Sequence, residues 1–494
     1  MNFGIASGHH LTSAVARDIL ESGGNAFDAT VAAYLAMFIT EPAMASAFAG
    51  GFANIHFADG KNEIIDFFCQ TPLSMSDHNH YEEIEVDFGE ASEIFYAGPA
   101  SMAVSGAMAL IYNLVEHHCR LSLRELVQPA QELAKSGVEL TAFQAYDLEL
   151  LEKIFGLREE GRALFFENDQ LKKERDMLYM PQYADFLEVI SREDNGWFYV
   201  GEIAQMVSDY SLGNGGFICY DDFTQYELKF IKPLIYQWEN YQICVPSLPS
   251  IGGGLQILFI DQLLKGEYTP LSFKHYDRLL NAFDSVSNAR KSKDVLRKQL
   301  EQIGIQLYPN NKNELKGGGT SHFNIADDQG NVVSLSTSIG EGSGYFVEGT
   351  DMQVNNMLGE TALLPDGLNS WMLNERLNSM MCPTFVFKDQ ELILSTGSGG
   401  ATRIPFSLGQ MLTNRIKHKM NLYQAIHTPR MYANTDKIYL ERGYDLNNIH
   451  HDRKLSQWDE PHLLFGGTHT IDLENRQAIG DARREGAAYI SLDH

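Results

Sequence analysis

The pattern of apolar and polar positions divides the chain into a largely helical first part and a strand-rich last third. Leu11, Val15 and Ile19 recur at four-residue spacing, which predicts a helix over residues 9–22. Gly23 and Gly24 end it, because glycine fits the position just past a helix C-terminus. Asn25 can cap a second helix that runs apolar through Ala36 and stops before Pro42. "AFAGGFANIHFADGKNEIIDFF" then reads as a glycine-rich entry and two strands around the turn at Asp59-Gly60. Residues 81–93, "YEEIEVDFGEASE", are acidic and read as a solvated loop. Residues 120–190 are helical in composition and highly charged. "VPSLPSIGGGLQILFIDQLL" joins a Pro/Ser/Gly loop to an apolar helix. Residues 285–316 carry many Lys, Arg, Asn and Ser and read as exposed. No internal repeat or low-complexity tract is visible.

After Gly319 the pattern changes to short strands separated by Gly, Asn and Asp. "SHFNIA" and "VVSLSTS" flank "DDQGN", residues suited to a tight turn. With Asp328-Gln329 or Gln329-Gly330 as the turn, cross-strand partners sum to 657 or 659. Thr320 then faces Thr337 or Ile339, and Ser338 lies within one position of it either way. The hairpin follows three glycines, Gly317, Gly318 and Gly319. Glycine loses more backbone freedom on folding than any other residue. Three in a row mark either a surface turn or a junction whose backbone must be reached or deformed.

Length alone, 494 residues, favours two or three domains with ample material for a buried core. The net charge of −27, from 38 basic and 65 acidic residues, argues against nucleic acid and against an anionic membrane surface. Cys69, Cys119, Cys219, Cys244 and Cys382 are odd in number and contain no CxxC, so they read as mostly buried free thiols. The start, "MNFGIASGHHLTSAVARDIL", shows no secretory signal, and the apolar stretch Ala29–Ile39 is too short to span a bilayer. The expectation is a cytoplasmic protein, or a periplasmic or secreted one if a leader has been removed. The adjacent pairs His9-His10, His117-His118 and His450-His451 point their side chains apart and make poor chelates, so they read as surface histidines. No metal and no cofactor are expected.

Chemistry enters at the glycine junction. The Thr320 hydroxyl can attack the carbonyl of Gly319, which has no side chain in the way. The acyl group shifts from nitrogen to oxygen, and water cuts the ester. The new chain begins at Thr320 with an α-amine of reference pKa about 8. That amine can act as base for its own hydroxyl.

The sequence resembles the gamma-glutamyltransferases of the N-terminal nucleophile hydrolase superfamily, over nearly its whole length. The resemblance rests on "ILESGGNAFDATVAA", "AGGFANIHF", "VPSLPSIGGGLQIL", "TSHFNIADDQGNVVSLSTS", "GSGYFVEGTDMQVNNMLGE", "RLNSMMCPTFVF", "STGSGGATRIP" and "GDARREGAA", in family order. It implies an α+β fold, a four-layer αββα sandwich. Residues 1–319 would form a large-subunit-like segment and residues 320–494 a small-subunit-like one, interwoven into a single structural domain. Thr320 matches the nucleophile and Ser338 a second hydroxyl that orients its amine. Gly399 and Gly400 match a glycine pair whose backbone N–H groups form an oxyanion hole. Asn356 and Glu360 lie where the family contacts the substrate's α-amino group, and Ser379 where it holds the α-carboxylate.

The match departs at substrate recognition. Phe68 stands where the family has a carboxylate-clamping Arg, and a phenyl ring cannot form that charge-assisted pair. Ile339 or Gly340 replaces an Asn, and Glu360 replaces an Asp. The usual Ser-Ser pair is Asn378-Ser379 or Ser379-Met380, and residues 361–376 diverge. Either the acyl group differs from a standard gamma-glutamyl, or Arg376 or Arg403 supplies the missing charge. The expected substrate is a small amide such as glutathione, with water or an amino acid as acceptor. The alternatives are an acylase of different acyl specificity and a scaffold that folds without processing.

Overall fold

The computed structural model describes residues 2–87, 92–192, 196–289, 292–306, 319–360, 367–446 and 452–492. Gly317, Gly318, His450, His451 and residues 361–366 lie outside them. Two mostly antiparallel sheets stack face to face between helical layers, the expected αββα sandwich. The seven-stranded sheet runs, by residue range, in the order 229–231, 62–66, 50–56, 332–338, 321–326, 3–7, 487–491. The six-stranded sheet runs 234–238, 241–245, 384–388, 391–399, 467–472, 477–479. Both sheets take strands from either side of the Gly319–Thr320 junction. The length-based expectation of several domains therefore gives way to one sandwich, because neither of the two stacked sheets can be completed by one segment alone.

The helix Ala26–Thr40 is buried at every position and covers the seven-stranded sheet. An apolar helix of this kind needs neighbours on all sides. Asn25 starts it with a reciprocal capping pair with Asp28. On the other outer face, Ile251–Leu264 packs against Ile404–Ile416, which lies on the six-stranded sheet.

The central hairpin, Ser321–Ala326 with Val332–Ser338, sits between the layers and is buried throughout. Its register pairs Phe323 with Leu335 and His322 with Ser336, so partners sum to 658 rather than 657 or 659. Asp327 sets the difference. Its N–H donates to the Asn331 carbonyl (3.0 Å), and its Oδ1 accepts from the N–H groups of Gln329 and Asn331 (2.9 Å each). Three loop residues remain, ending at Gly330 with φ +96°. This is the three-residue turn with a left-handed last position. A one-residue slip in either direction would place a serine, Ser334 or Ser336, opposite Phe323.

Three other expectations are corrected. Residues 82–87 and 92–97 pair as a hairpin instead of a loop, with Ile84, Val86 and Phe95 buried. Within 285–316, the helix Lys293–Gln302 buries Leu296 and Leu300. His9 is buried and caps the first helix through Nδ1, accepting from the Leu11 N–H at 3.1 Å, so it is no surface histidine. The five cysteines are free thiols, three buried and two half-buried.

Candidate active site

The even register extends past the last ladder pair and brings Ser338 opposite Thr320. Side chains alternate along a strand, so Thr320 shares the face of His322 and Asn324, toward the other sheet. Asn324 reaches that sheet, donating from Nδ2 to the His469 carbonyl at 2.9 Å. The opposite face carries Phe323, which meets Tyr34 of the helix Ala26–Thr40.

Thr320 is buried. Ser338 Oγ donates to the Gly319 carbonyl and accepts the Gly340 N–H at 2.9 Å. The Gly319 N–H donates to Glu341 Oε1 at 3.1 Å. The Thr320 carbonyl accepts from Arg484 Nη1 at 3.3 Å. Next along the chain, Ser321 Oγ donates to the buried carboxyl of Glu41.

Gly399 and Gly400 close this side. A Cβ on Gly399 would fall 2.2 Å from the Thr320 carbonyl oxygen, so only glycine allows the strand to approach. Gly400 has φ +120° and turns the chain into the helix Ile404–Ile416. A cavity of about 80 Å³ borders Gly319, Gly340, Glu341, Gly400, Arg403 and Arg484.

Asn356 and Glu360 are brought to the same place. A Cβ on Gly340, where φ is +71°, would lie 2.0 Å from Asn356 Oδ1 and 2.7 Å from Glu360 Oε1. Asn356 Oδ1 accepts from the N–H groups of Glu341 (2.9 Å) and Gly342 (3.2 Å). Burial, and then the neighbouring Glu341, holds the Glu360 carboxyl well above the usual range. Ser379 lies elsewhere among these elements. Its carbonyl accepts from the Ile251 N–H (2.8 Å) and its Oγ from the Met381 N–H (3.1 Å), at the start of the helix Ile251–Leu264.

Of the two arginines considered as substitutes for the clamp, Arg376 is already engaged. Its Nε lies 3.5 Å from Asp66 Oδ2, its Nη1 donates to Gln70 at 2.8 Å, and it stacks over Tyr226. Phe68 is fully buried against Phe52, with ring centroids 5.9 Å apart. Arg403 borders the cavity.

Sequence reasoning missed Arg484, Glu41, Asp147 and Glu341. Arg484 is aimed by its neighbours: Arg430 and Arg483 both pair with Asp481, at 2.6 and 3.3 Å, and Asp481 accepts the Thr468 N–H at 2.9 Å. Burial raises Glu41 to about 7, against the pull of Ser321 and Arg484. Asp147 is raised to about 7 for the same first reason. The only sequence signal for Arg484 is its place in "GDARREGAA"; Glu41 merely precedes Pro42 at a helix end.

The likeness to known proteins runs through all these elements. A model of the family described as gamma-glutamyltranspeptidase matches residues 12–299 and 284–491. A glutathione hydrolase proenzyme of Bacillus subtilis strain 168 is 28% identical, over 98% of this chain and 90% of its own length. The Acylase ACY 1 proenzyme of a Pseudomonas species, strain V22, is 27% identical, over 89% of this chain and 84% of its own. The cephalosporin acylase of Bacillus halodurans superposes with a TM-score of 0.82 at 20% identity, covering 100% of this chain and 96% of that one, a likeness of fold. With a family match that spans the Thr320 hairpin and runs to the end of the last strand, Ala487–Ser491, the chain belongs to the gamma-glutamyltranspeptidase family.

Proposed function

We propose that the chain is a self-cleaving amidohydrolase whose nucleophile is Thr320. The observation that carries this reading is the hydrogen bond from Ser338 Oγ to the carbonyl of Gly319 beside a buried Thr320. Thr320 Oγ1 adds to the Gly319 carbonyl carbon and its proton passes to the Thr320 nitrogen. The C–N bond breaks, leaving an ester on Oγ1 and a free α-amine. Water then splits the ester into a Gly319 carboxylate and the Thr320 hydroxyl. The two fragments, 1–319 and 320–494, stay together because they share both sheets.

In turnover the same hydroxyl takes an acyl group from a small amide, with the Thr320 amine as base and water or an amino acid as acceptor. Backbone N–H groups of Gly399 and Gly400 receive the oxyanion, a contribution of about 3–4 kcal/mol. Gamma-glutamyl amides such as glutathione are the first donors to consider, as the name of the Bacillus subtilis relative indicates. Asn356 and Glu360 would face the donor's α-amino group, whereas Ser379, whose carbonyl and Oγ accept from the Ile251 and Met381 N–H groups, does not line the cavity. A second reading, an acylase for another acyl group, is favoured by the core position of Phe68 and by the engagement of Arg376 with Asp66. Arg403 and Arg484, on the cavity wall, are the cations left to meet a carboxylate.

The test is the mass and N-terminal sequence of the purified protein. The wild type is expected as two fragments, the second beginning at Thr320. Thr320→Ala is expected as one uncut chain without amidase activity, and Thr320→Ser as a partly cut one. An uncut wild type, or a Thr320→Ala variant that still splits there, would end the proposal.

A further inference from the structure

Gly319 is held at both ends. Ser338 Oγ donates to its carbonyl, and Glu341 Oε1 accepts its N–H at 3.1 Å. The stem of Glu341 is fixed by its own N–H on Asn356 Oδ1 at 2.9 Å. Glu341 borders the cavity. The Glu341 carboxyl also hydrogen-bonds to that of the fully buried Glu360, and burial holds both above their ordinary range. The other charged groups acting on Glu341 are Glu360 and Glu93, both acids. With acids as its only charged neighbours, a buried carboxyl is stabilised by every donor it keeps, and an N–H from the acyl side is one of them. Before cleavage, Gly319 provides that donor.

The ester formed during self-cleavage is itself an acyl-enzyme. Its acyl group carries an N–H on the carbon next to the carbonyl, and that N–H is the one Glu341 holds. When water releases Gly319 as a carboxylate, the Glu341 oxygen loses its donor at the position where the next acyl ester forms. We propose that Glu341 reads a nitrogen one carbon from the acyl carbonyl, first in Gly319 and then in the substrate, so that the site accepts α-aminoacyl and N-acylglycyl amides. This rests on the Thr320 ester reading. Glu341 is a specificity residue here: it touches the acyl group and takes no proton in the reaction.

The experiment compares kcat/KM for glycyl 4-nitroanilide and acetyl 4-nitroanilide in the wild type, Glu341→Gln and Glu341→Ala. Intrinsic reactivity cancels when the glycyl-to-acetyl ratio is compared across variants. The ratio is expected to fall roughly 10- to 150-fold from wild type to Glu341→Gln, the range for a hydrogen bond to a charged group. Glutamine keeps an acceptor oxygen, so this variant should still cut itself and still prefer N-acetylglycyl 4-nitroanilide over the acetyl compound. Glu341→Ala should lose both preferences and cut itself more slowly. If Glu341→Ala does not fold, the glycyl ratio in Glu341→Gln decides. A ratio unchanged in Glu341→Gln overturns the proposal, even where a Thr320 N-terminus in the wild type upholds the ester mechanism. An uncut wild type fails both.

Discussion

The two ends of the central hairpin enclose very different spaces. At the Thr320 end the cavity is about 80 Å³. At the turn end a cleft of about 770 Å³ opens among His56, Gln242, Cys244, Asp327 and Phe387. By size, the turn end would be the default site. Two of its titratable groups, Asp327 and His56, are already occupied. Asp327 Oδ2 accepts the Ala26 N–H at 3.0 Å and Asn331 Nδ2 at 2.8 Å, and His56 Nδ1 pairs with Asn62 at 2.8 Å. Burial pushes the Cys244 thiol up to about 12, which leaves no thiolate near neutral pH. At the Thr320 end, Glu341 and Glu360 are buried acids held above their ordinary range beside the Gly319 peptide. The proposed site therefore lies at the smaller space, where buried acids meet the Gly319–Thr320 peptide, and not at the larger one.

The largest effect that would break this contrast concerns Phe68. The side chain is fully buried against Phe52, and Asp66 Oδ1 accepts the Phe68 N–H at 2.8 Å while its other oxygen faces Arg376. Phe68→Arg would therefore place a second cation in the core without a free acid. The expected cost is about 3–5 kcal/mol, read as a lower midpoint of urea unfolding. A stable variant with faster gamma-glutamyl anilide turnover would show instead that position 68 opens onto the site and serves as the family's carboxylate clamp.

A second effect separates the ends by pH. Glu41, hydrogen-bonded to Ser321, is held at about 7 by burial, above its ordinary 4.5. The folded chain therefore binds this proton more tightly than the unfolded chain does. Stability should fall as pH rises from about 4.5 to 7 and stay reduced above it, by up to about 3 kcal/mol from this group. Glu41→Gln, which cannot ionise, should flatten that part of the profile in urea titrations at several pH values. An unchanged slope would mean that Glu41 is ionised in the fold at little cost.

These two residues show what the sequence made legible. The sandwich followed from ordered motifs, and the hairpin from its turn residues. Its register was legible too: only an even sum keeps Phe323, Ile325, Val333 and Leu335 on one face. The turn chemistry of Asp327 hid that answer. Residues 82–87 looked solvated because acids alternate with Ile84 and Val86, which the fold buries. The proposed site was readable where a motif marks it, at Thr320, Ser338, Gly399 and Gly400, which the fold gathers at the Gly319 junction. Glu341, Glu41 and Arg484 come from three distant segments, and only tertiary packing brings them to one junction. Arg376 was placed near the site by sequence order, but its charge is taken by Asp66, a pairing that neighbouring residues in sequence do not reveal.

A somewhat smaller effect sharpens the role of Ser338. Its hydroxyl donates to the carbonyl that becomes an oxyanion during the acyl shift. Removing one such donor typically costs about 100-fold or more. Ser338→Ala should slow self-cleavage by that order while the chain stays folded, followed by gel analysis over time and by far-ultraviolet circular dichroism. An unchanged rate would remove Ser338 from the reaction.

The smallest effect belongs to the turn end. Asp328 lies on the rim of the large cleft, exposed, and its nearest polar contact is a weak one from Gln329 at 3.5 Å. Glu391, at the start of the strand Glu391–Gly399, is likewise exposed on that rim. Asp328→Asn and Glu391→Gln change the charge of the cleft and nearly nothing of its shape. Surface changes of this kind shift stability by less than about 0.5 kcal/mol. Self-cleavage and turnover should match the wild type, since neither carboxyl contacts the elements that hold Gly319. A tenfold loss of kcat/KM in either variant would connect the large cleft to the acyl-transfer site through the hairpin. The contrast between an occupied end and a reactive end would then have to be abandoned.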